Sequence, residues 1–209
     1  MTNGLDQLLK LGAGLPLAVP CDHFYFLRHG QTARNLARIF QAVDEPLNAT
    51  GLAQARAAAE RLADEPLATI VCSDAVRARQ TAELVAAPHG LVPQHSAALR
   101  ERDFGALIGS SSAGLDWSCV PERGETLEQF MQRKQRAIAE ALARPGPVLI
   151  VAHGGSLYAL AAMLGVPVDL QLLANAQPLR FGRRGPTWVV EALSPHASQA
   201  AADGGAAIA

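Results

Sequence analysis

The residues that decide the fold run from His23 to Asn35 and read His-Phe-Tyr-Phe-Leu-Arg-His-Gly-Gln-Thr-Ala-Arg-Asn. The apolar and aromatic run Phe24 to Leu27 indicates a short buried strand. Arg28 and His29 follow it directly, and a helical pattern begins near Thr32. An arginine and a histidine therefore stand where a buried strand turns into a helix, which is the edge at which open α/β sheets bind ligands.

The residue types at this turn suit an anion. The planar fork of Arg28 fits phosphate or carboxylate oxygens, and His29 can act as a neutral nucleophile or carry a proton near neutral pH. Gly30 removes a Cβ where a ligand would approach the backbone, and the helix that follows directs free N–H groups at the same place. Because so short a motif also occurs in ordinary loops, the rest of the chain must decide its role.

Length, charge and cysteine content limit the possible classes of protein. A chain of 209 residues suits one well-buried domain, which we expect over 21–193, with an N-terminal extension at 1–20 and a flexible Ala/Gly/Ser-rich tail at 194–209. A net charge of -1 gives no general attraction to nucleic acid or to an anionic membrane. Three widely spaced cysteines fit a reducing cytoplasm, and the apolar N-terminal segment lacks the basic start of a signal peptide.

Strand and helix patterns alternate along most of the chain. This order predicts an α/β fold with three α/β/α layers and a mostly parallel central sheet. We expect Ser73 and Asp74 to cap the helix after the second strand. After the first strand, further strands are predicted at 68–72, 91–97 (an edge), 148–152, 179–183 and 187–193, and helices at 32–40, 49–63, 75–87, from 125 to the Pro145 break, and from 157 to about 165.

Three further positions carry chemistry. Arg77 falls in the first turn of a predicted helix, where the helix dipole disfavours a cation and a bound anion would offset that cost. His153 follows the most strand-like run of the chain and so repeats the placement of His29. Glu101 lies in a charged cluster before a loop, 110–124, that resembles a lid and contains Trp117. In a mostly parallel sheet these residues converge on one edge.

Four groups of residues, in this order, together resemble the histidine phosphatase superfamily, which has the phosphoglycerate mutase-like fold. They extend from His23 to about Gly165, and their combination is far more specific than any one of them. The groups are Arg28-His29-Gly30-Gln31-Thr32 with Asn35; Ser73-Asp74 with Arg77-Ala78 and Gln80-Thr81-Ala82; Leu99-x-Glu101-Arg102 with Gly105 and Gly109; and Val151-Ala152-His153-Gly154-Gly155.

The resemblance implies a role for each matching residue. His29 matches the nucleophile that becomes phosphohistidine, and Glu101 matches the acid that protonates the leaving oxygen. The resemblance implies no cofactor, and two arginines beside two histidines would repel a divalent metal ion. The phosphate-binding positions that it implies are Arg28, Gly30, Gln31, Thr32, Asn35, Arg77, His153 and Gly154.

Several alternatives stay open at this point. We expect a phosphatase that acts on a small phosphomonoester, because the short cover at 110–124 would admit water, whereas phosphoglycerate mutases of this family carry a long insertion there. A mutase-type phosphoryl transfer is the second possibility, and a non-catalytic phosphate-binding protein is the third. A serine hydrolase is disfavoured because no Gly-x-Ser-x-Gly elbow accompanies His153. The expected partner is a small phosphorylated substrate or inorganic phosphate, with no nucleic acid and no membrane.

Other residues are expected to serve structure. Arg102 and Asp103 are predicted to form ion pairs, Trp117 to pack the lid and Cys72 to lie in the core. Surface or packing roles are expected for His23, His89, His95 and His196.

Overall fold

The computed structural model describes residues 4–194 and is built on one six-stranded sheet. Its order is β3-β2-β4-β1-β5-β6, in which the first four strands are parallel and the last two antiparallel. The predicted edge strand is present, and the two predicted C-terminal strands pair as an antiparallel hairpin. The strands are β1 His23–Arg28, β2 Thr69–Ser73, β3 Gln94–Ser96, β4 Val148–Ala152, β5 Pro178–Arg184 and β6 Thr187–Ala192.

Helices cover both faces of this sheet. Strand β1 sends Phe24 and Phe26 to one face and Tyr25 and Leu27 to the other, because successive side chains of a strand alternate. These aromatic and aliphatic side chains are almost fully buried, each contributing about 2 kcal/mol to stability. The helices are α1 Leu5–Ala13, α2 Ala33–Leu36, α3 Ala49–Leu62, α4 Val76–Ala86, α5 Leu127–Leu142 and α6 Gly154–Leu164, with short 3-10 turns at Ala87–His89, Ala97–Leu99 and Gly105–Leu107.

Two apolar clusters confirm the three layers. On one face α5 and α6 pack on the sheet through Phe130 and Leu160, and α1 packs on these two helices through Leu8. On the other face α3 and α4 pack through Ala58 and Val85. The predicted α/β/α architecture with a mostly parallel sheet is therefore confirmed.

The N-terminal segment forms a helix that lies on the domain. Leu8 is completely buried, and α1 crosses α6 so closely that a Cβ on Gly12 would stand 2.3 Å from the Cβ of Ala162. The glycine is what permits this approach. The predicted tail and His196 lie outside the described residues, apart from Ser194. Within residues 4–194, no helix combines the length and apolarity needed to cross a membrane.

Some helix ends differ from the predictions. The helix expected at 32–40 forms only Ala33–Leu36, because Arg38 takes a left-handed φ of 55° that ends it. Helix α6 starts at Gly154 rather than Leu157, with His153 as its N-cap residue.

The expected cap of α4 is also wrong. The N-cap residue of α4 is Ala75, which has no side-chain cap. Asp74 instead pairs with Arg100, 2.6 Å away, and the Ser73 hydroxyl lies 2.9 Å from His153. Both side chains are therefore used in tertiary contacts.

Candidate active site

The carboxyl ends of three parallel strands bring the predicted site residues together. Arg28 lies opposite Ala152 in the β1–β4 ladder, so the next residues, His29 and His153, leave the sheet side by side. Their ring centroids are 5.2 Å apart. The two distant histidines therefore share one pocket.

His29 is a buried, neutral imidazole. Its Nδ1 lies 2.7 Å from the Gly30 carbonyl oxygen, and since a carbonyl only accepts hydrogen bonds, Nδ1 carries the ring proton. Burial, followed by the positive charges of Arg77 and Arg28, holds the pKa of His29 well below its usual range. Its Nε2 is therefore left with a lone pair, as a nucleophile requires.

His153 is also neutral and has the opposite tautomer. Its Nε2 lies 2.9 Å from Ser73 Oγ, and its Nδ1 lies 3.4 Å from a terminal nitrogen of Arg77. Because arginine only donates, Nδ1 accepts and Nε2 carries the proton. Burial is the main cause that lowers the pKa of His153, and the charge of Arg77 adds to it.

Two guanidiniums lie in this pocket with their charges only partly compensated. Arg28 donates from Nη1 to the Leu173 carbonyl oxygen at 2.6 Å, and Arg77 donates to that of Ala42 at 2.8 Å. The Nε atoms of both arginines are buried without a hydrogen-bond partner. Burial lowers the pKa of Arg77 to about 10. The hydrogen-bond partners of these buried cations are carbonyl oxygens and the neutral His153 imidazole, so a bound anion between them would be favoured.

Glu101 reaches the same pocket from the loop after β3. Its Oε2 accepts a hydrogen bond from the Gly155 N–H at 2.8 Å, and its Oε1 accepts one from the Arg102 N–H at 2.9 Å. Gly155 belongs to the first turn of α6, whose free N–H groups attract a carboxylate. The acid is thus fixed by two backbone groups.

These residues line a cavity of about 500 Å³. Its floor contains seven predicted site residues, and its outer wall is mainly apolar. The predicted residues are Arg28, His29, Asn35, Arg77, Glu101, His153 and Gly154; the wall is formed by Ile39, Phe40, Phe104, Leu115, Trp117, Tyr158, Leu170 and Leu173.

Three predicted phosphate-binding residues lie behind the cavity instead of lining it. The Gln31 side chain accepts a hydrogen bond from Asn48 at 3.0 Å, and the Thr32 hydroxyl donates to Gln41 at 2.7 Å while capping α2. A Cβ on Gly30 would meet the Gly51 carbonyl oxygen at 2.4 Å. Close backbone packing against Gly51 therefore requires a glycine at this position.

Three residues that position the site were missed or misassigned from the sequence. Ser73 was expected to cap a helix, although its position at a strand end was a usable signal. Thr81 accepts a hydrogen bond from the Gly30 N–H at 3.1 Å, and the Asn175 side chain donates to the His29 carbonyl at 2.9 Å. Asn175 gives no local signal, because only the return of the chain from α6 to β5 brings it near His29.

Arg102 organises the loop that covers the site. Its guanidinium is buried and donates to the carbonyl oxygens of Trp117 at 2.6 Å, Cys119 at 2.5 Å and Glu125 at 3.1 Å. The prediction that Arg102 forms an ion pair is therefore wrong. Its guanidinium bonds two carbonyl oxygens of the lid and that of Glu125, which follows the lid. Asp103 likewise bonds the Gly105 N–H at 2.8 Å, while Cys72 is buried in the core as predicted.

The Trp117 ring both packs and lines the cavity. It stands 6.2 Å from Phe130 in the core, between centroids, and it faces the cavity on its other side. Among residues 4–194 no group of three or more His, Cys, Asp or Glu side chains is arranged to hold a metal ion.

Two neutral imidazoles, two buried guanidiniums and a carboxylate at one sheet edge define a site suited to phosphoryl transfer. The chain belongs to the histidine phosphatase superfamily (branch 1), whose family model matches residues 24–193. The predicted family is thereby confirmed.

Individual relatives agree with this family. A mycobacterial glucosyl-3-phosphoglycerate phosphatase structure is 30% identical with a TM-score of 0.69, over 82% of this chain and 98% of that one. The alpha-ribazole phosphatase from Shigella flexneri is 25% identical with a TM-score of 0.69, over 82% and 95%. A protein named as a probable phosphoglycerate mutase of Yersinia pestis is 32% identical over 70% of this chain and 77% of its own length.

A longer relative matches over part of its length. The agropine synthesis reductase of Rhizobium rhizogenes is 35% identical over 80% of this chain, which spans 41% of that relative. The match therefore concerns less than half of the longer protein.

Proposed function

We propose that the chain hydrolyses a small phosphomonoester through a phosphohistidine on His29, with Glu101 as general acid and then general base, and without a metal ion. The observation that carries this proposal is the neutral His29, whose Nδ1 proton is held by Gly30 and whose Nε2 shares a cavity with Arg28 and Arg77. The positive charge of the two arginines replaces that of a metal ion and would repel one.

In the first step His29 Nε2 forms a bond to phosphorus while the ester P–O bond breaks. The leaving oxygen takes a proton from Glu101 and departs as the alcohol. Arg28, Arg77 and His153 stabilise the charge on the three equatorial oxygens. Positioning and electrostatics supply most of the catalysis, because phosphoryl transfer needs little covalent help from the protein.

In the second step the Glu101 carboxylate takes a proton from a water molecule whose oxygen attacks phosphorus. The P–N bond breaks, inorganic phosphate forms, and His29 recovers its lone pair. Glu101 is then protonated again and ready for the next ester. Each proton removed from water is thus the one given to the next leaving group.

A mutase-type transfer is the second candidate, favoured by the relative named as a probable phosphoglycerate mutase. The short cover over the cavity and the two phosphatases among the similar structures support hydrolysis instead. Product analysis with 3-phosphoglycerate separates the two, because a phosphatase releases inorganic phosphate and a mutase yields 2-phosphoglycerate.

The test of the proposal is turnover of p-nitrophenyl phosphate. We expect hydrolysis that His29→Ala abolishes, and acid-labile labelling of the parent protein when the reaction is stopped in base. His95→Ala is the matched control, since His95 is exposed on β3 away from the cavity, and it should retain full activity. Absence of turnover across several phosphoesters would instead indicate a phosphate-binding protein.

We also propose that the reaction takes place in a reducing cytoplasm. The support is the state of the three cysteines, Cys21, Cys72 and Cys119, which are all free. Fractionation of cells that produce the tagged protein tests this.

A further inference from the structure

The outer wall of the cavity is unusually aromatic for a chain in which Phe, Trp and Tyr make up 5% of residues. The Phe40 and Phe104 rings lie 4.3 Å apart between centroids, and the Trp117 ring stands 6.3 Å from both Phe104 and Tyr158. All four line the cavity. They present a nearly continuous apolar surface above the phosphate-binding floor.

This wall has no free positive charge for a second anion. Among the described residues that line the cavity, the basic groups beyond the histidines are Arg28, Arg77 and Arg102. The first two lie beside the histidines at the floor, and the guanidinium of Arg102 is committed to three carbonyl oxygens of the lid. Arg34, close to this wall in sequence, pairs with Glu45 at 3.2 Å.

The wall also has no free negative charge for a cationic substrate. The single carboxylate among the cavity-lining residues described is Glu101, which two backbone N–H groups hold in place. The remaining polar side chains, Asn35, Gln41 and Ser112, are neutral. A charged group on the leaving alcohol would lose its hydration against aromatic rings without a partner.

We infer that the ester hydrolysed here has an uncharged leaving alcohol with a flat apolar or aromatic surface. This inference rests on the proposed function and adds its substrate class. The phosphate is bound by the floor, and the ring packs against Trp117, Tyr158 and Phe104. Ring stacking and exclusion of water then contribute to kcat/KM, as they do in other apolar ligand pockets.

The test compares esters whose leaving groups have similar basicity. Differences in kcat/KM then reflect contacts with the cavity wall and not the ease of bond cleavage. We choose 2-phenylethyl phosphate, glycerol 3-phosphate and 3-phosphoglycerate, which are all esters of primary alcohols. We expect kcat/KM for 2-phenylethyl phosphate to exceed that for 3-phosphoglycerate by at least about tenfold, because the carboxylate of the latter has no cation to meet.

A substitution in the wall tests the same point by adding the missing charge. Ser112 is half-buried on the lid, and its backbone N–H bonds the Arg38 carbonyl at 2.7 Å, independently of its side chain. Ser112→Lys should raise kcat/KM for 3-phosphoglycerate by about tenfold relative to that for 2-phenylethyl phosphate. The matched control is Ser112→Gln, which adds length without charge and should leave the preference for the aromatic ester in place.

The outcomes separate this inference from the function on which it rests. A parent enzyme that hydrolyses all three esters but prefers 3-phosphoglycerate overturns the substrate class and leaves the phosphatase standing. An unaltered preference in Ser112→Lys also counts against it, once circular dichroism shows that the variant is folded. Failure to hydrolyse any ester, including p-nitrophenyl phosphate, overturns the proposed function itself.

Discussion

The Gly155 N–H donates a hydrogen bond to Glu101 Oε2 across 2.8 Å. This contact joins the first turn of α6 to the loop that carries the proposed acid, although the two residues are 54 positions apart. A glycine is needed there, because a Cβ at position 155 would stand 2.3 Å from Glu101 Oε1 and 2.8 Å from the Trp117 ring. The position of the acid is therefore set by the absence of a side chain.

Gly155→Ala should displace the Glu101 carboxylate and lower kcat by about 100-fold, since misplacement of a reacting group by about 1 Å has that effect. Steady-state kinetics with an alkyl phosphate, whose leaving group needs the acid, will measure the loss. Gly14→Ala is the comparison, because Gly14 lies at the end of α1, outside the cavity lining, and its Cβ would lie at an ordinary 3.5 Å from the Leu11 carbonyl oxygen. The explanation is wrong if Gly14→Ala costs as much as Gly155→Ala.

Binding of a phosphate dianion should be accompanied by uptake of a proton by His153. In the free protein, burial and the charge of Arg77 depress the pKa of His153, and a neighbouring dianion acts in the opposite direction by favouring the imidazolium. Calorimetry of phosphate binding at pH 8, in two buffers of different ionisation enthalpy, measures the uptake. The uptake should be a measurable fraction of a proton and should vanish in His153→Gln; an equal uptake in that variant would contradict the assignment.

Arg102→Lys should loosen the lid while keeping the charge. A lysine cannot reach the carbonyls of Trp117, Cys119 and Glu125 together, so the free energy of unfolding should fall by about 2–4 kcal/mol. Cleavage by protease within 110–124 should accelerate, and KM should rise more than kcat falls. Arg123→Lys, at an exposed ion pair with Glu122, should change none of these. Equal protease sensitivity of the two variants would rule out this role for Arg102.

Lys134 should make stability depend on pH. It is completely buried beside Phe130, it donates to the carbonyl oxygens of Arg100 and Ala98, and burial lowers its pKa well below 10.5. Below pH 10.5 the unfolded chain binds a proton that the folded chain does not, so Lys134 contributes less stability as pH falls from 10.5 toward 7.

Urea unfolding of Lys134→Met at pH 7 and pH 10 checks this sign. The free energy of unfolding of Lys134→Met, measured relative to that of the parent, should be higher at pH 7 than at pH 10. The chain has one other lysine, Lys10, which is exposed in α1. Lys10→Met should therefore give the same difference at both pH values. A pH-independent difference for Lys134→Met would show that its buried amine stays protonated.

The strands and the site positions at their ends were predictable because they rest on local pattern. The apolar runs before Arg28 and before His153 are short and bounded, and alternation of their side chains fixes two buried faces. Parallel pairing then follows from the helical segments between them, and it places both histidines at one edge. The prediction of helix 32–40 failed, because nothing in the local sequence announces the left-handed turn at Arg38.

Sequence alone determined the order of the layers and the chemistry of the floor, since both depend on residue type and on periodicity along the chain. The tertiary structure decided which protons and partners those groups have. Ser73, Asn175 and Gly155 come from separate segments, and only folding brings them to His153, His29 and Glu101. The tertiary structure also decided that Arg102 binds the lid and not an anion. The carbonyl oxygens of Trp117, Cys119 and Glu125 surround its guanidinium only in the folded loop.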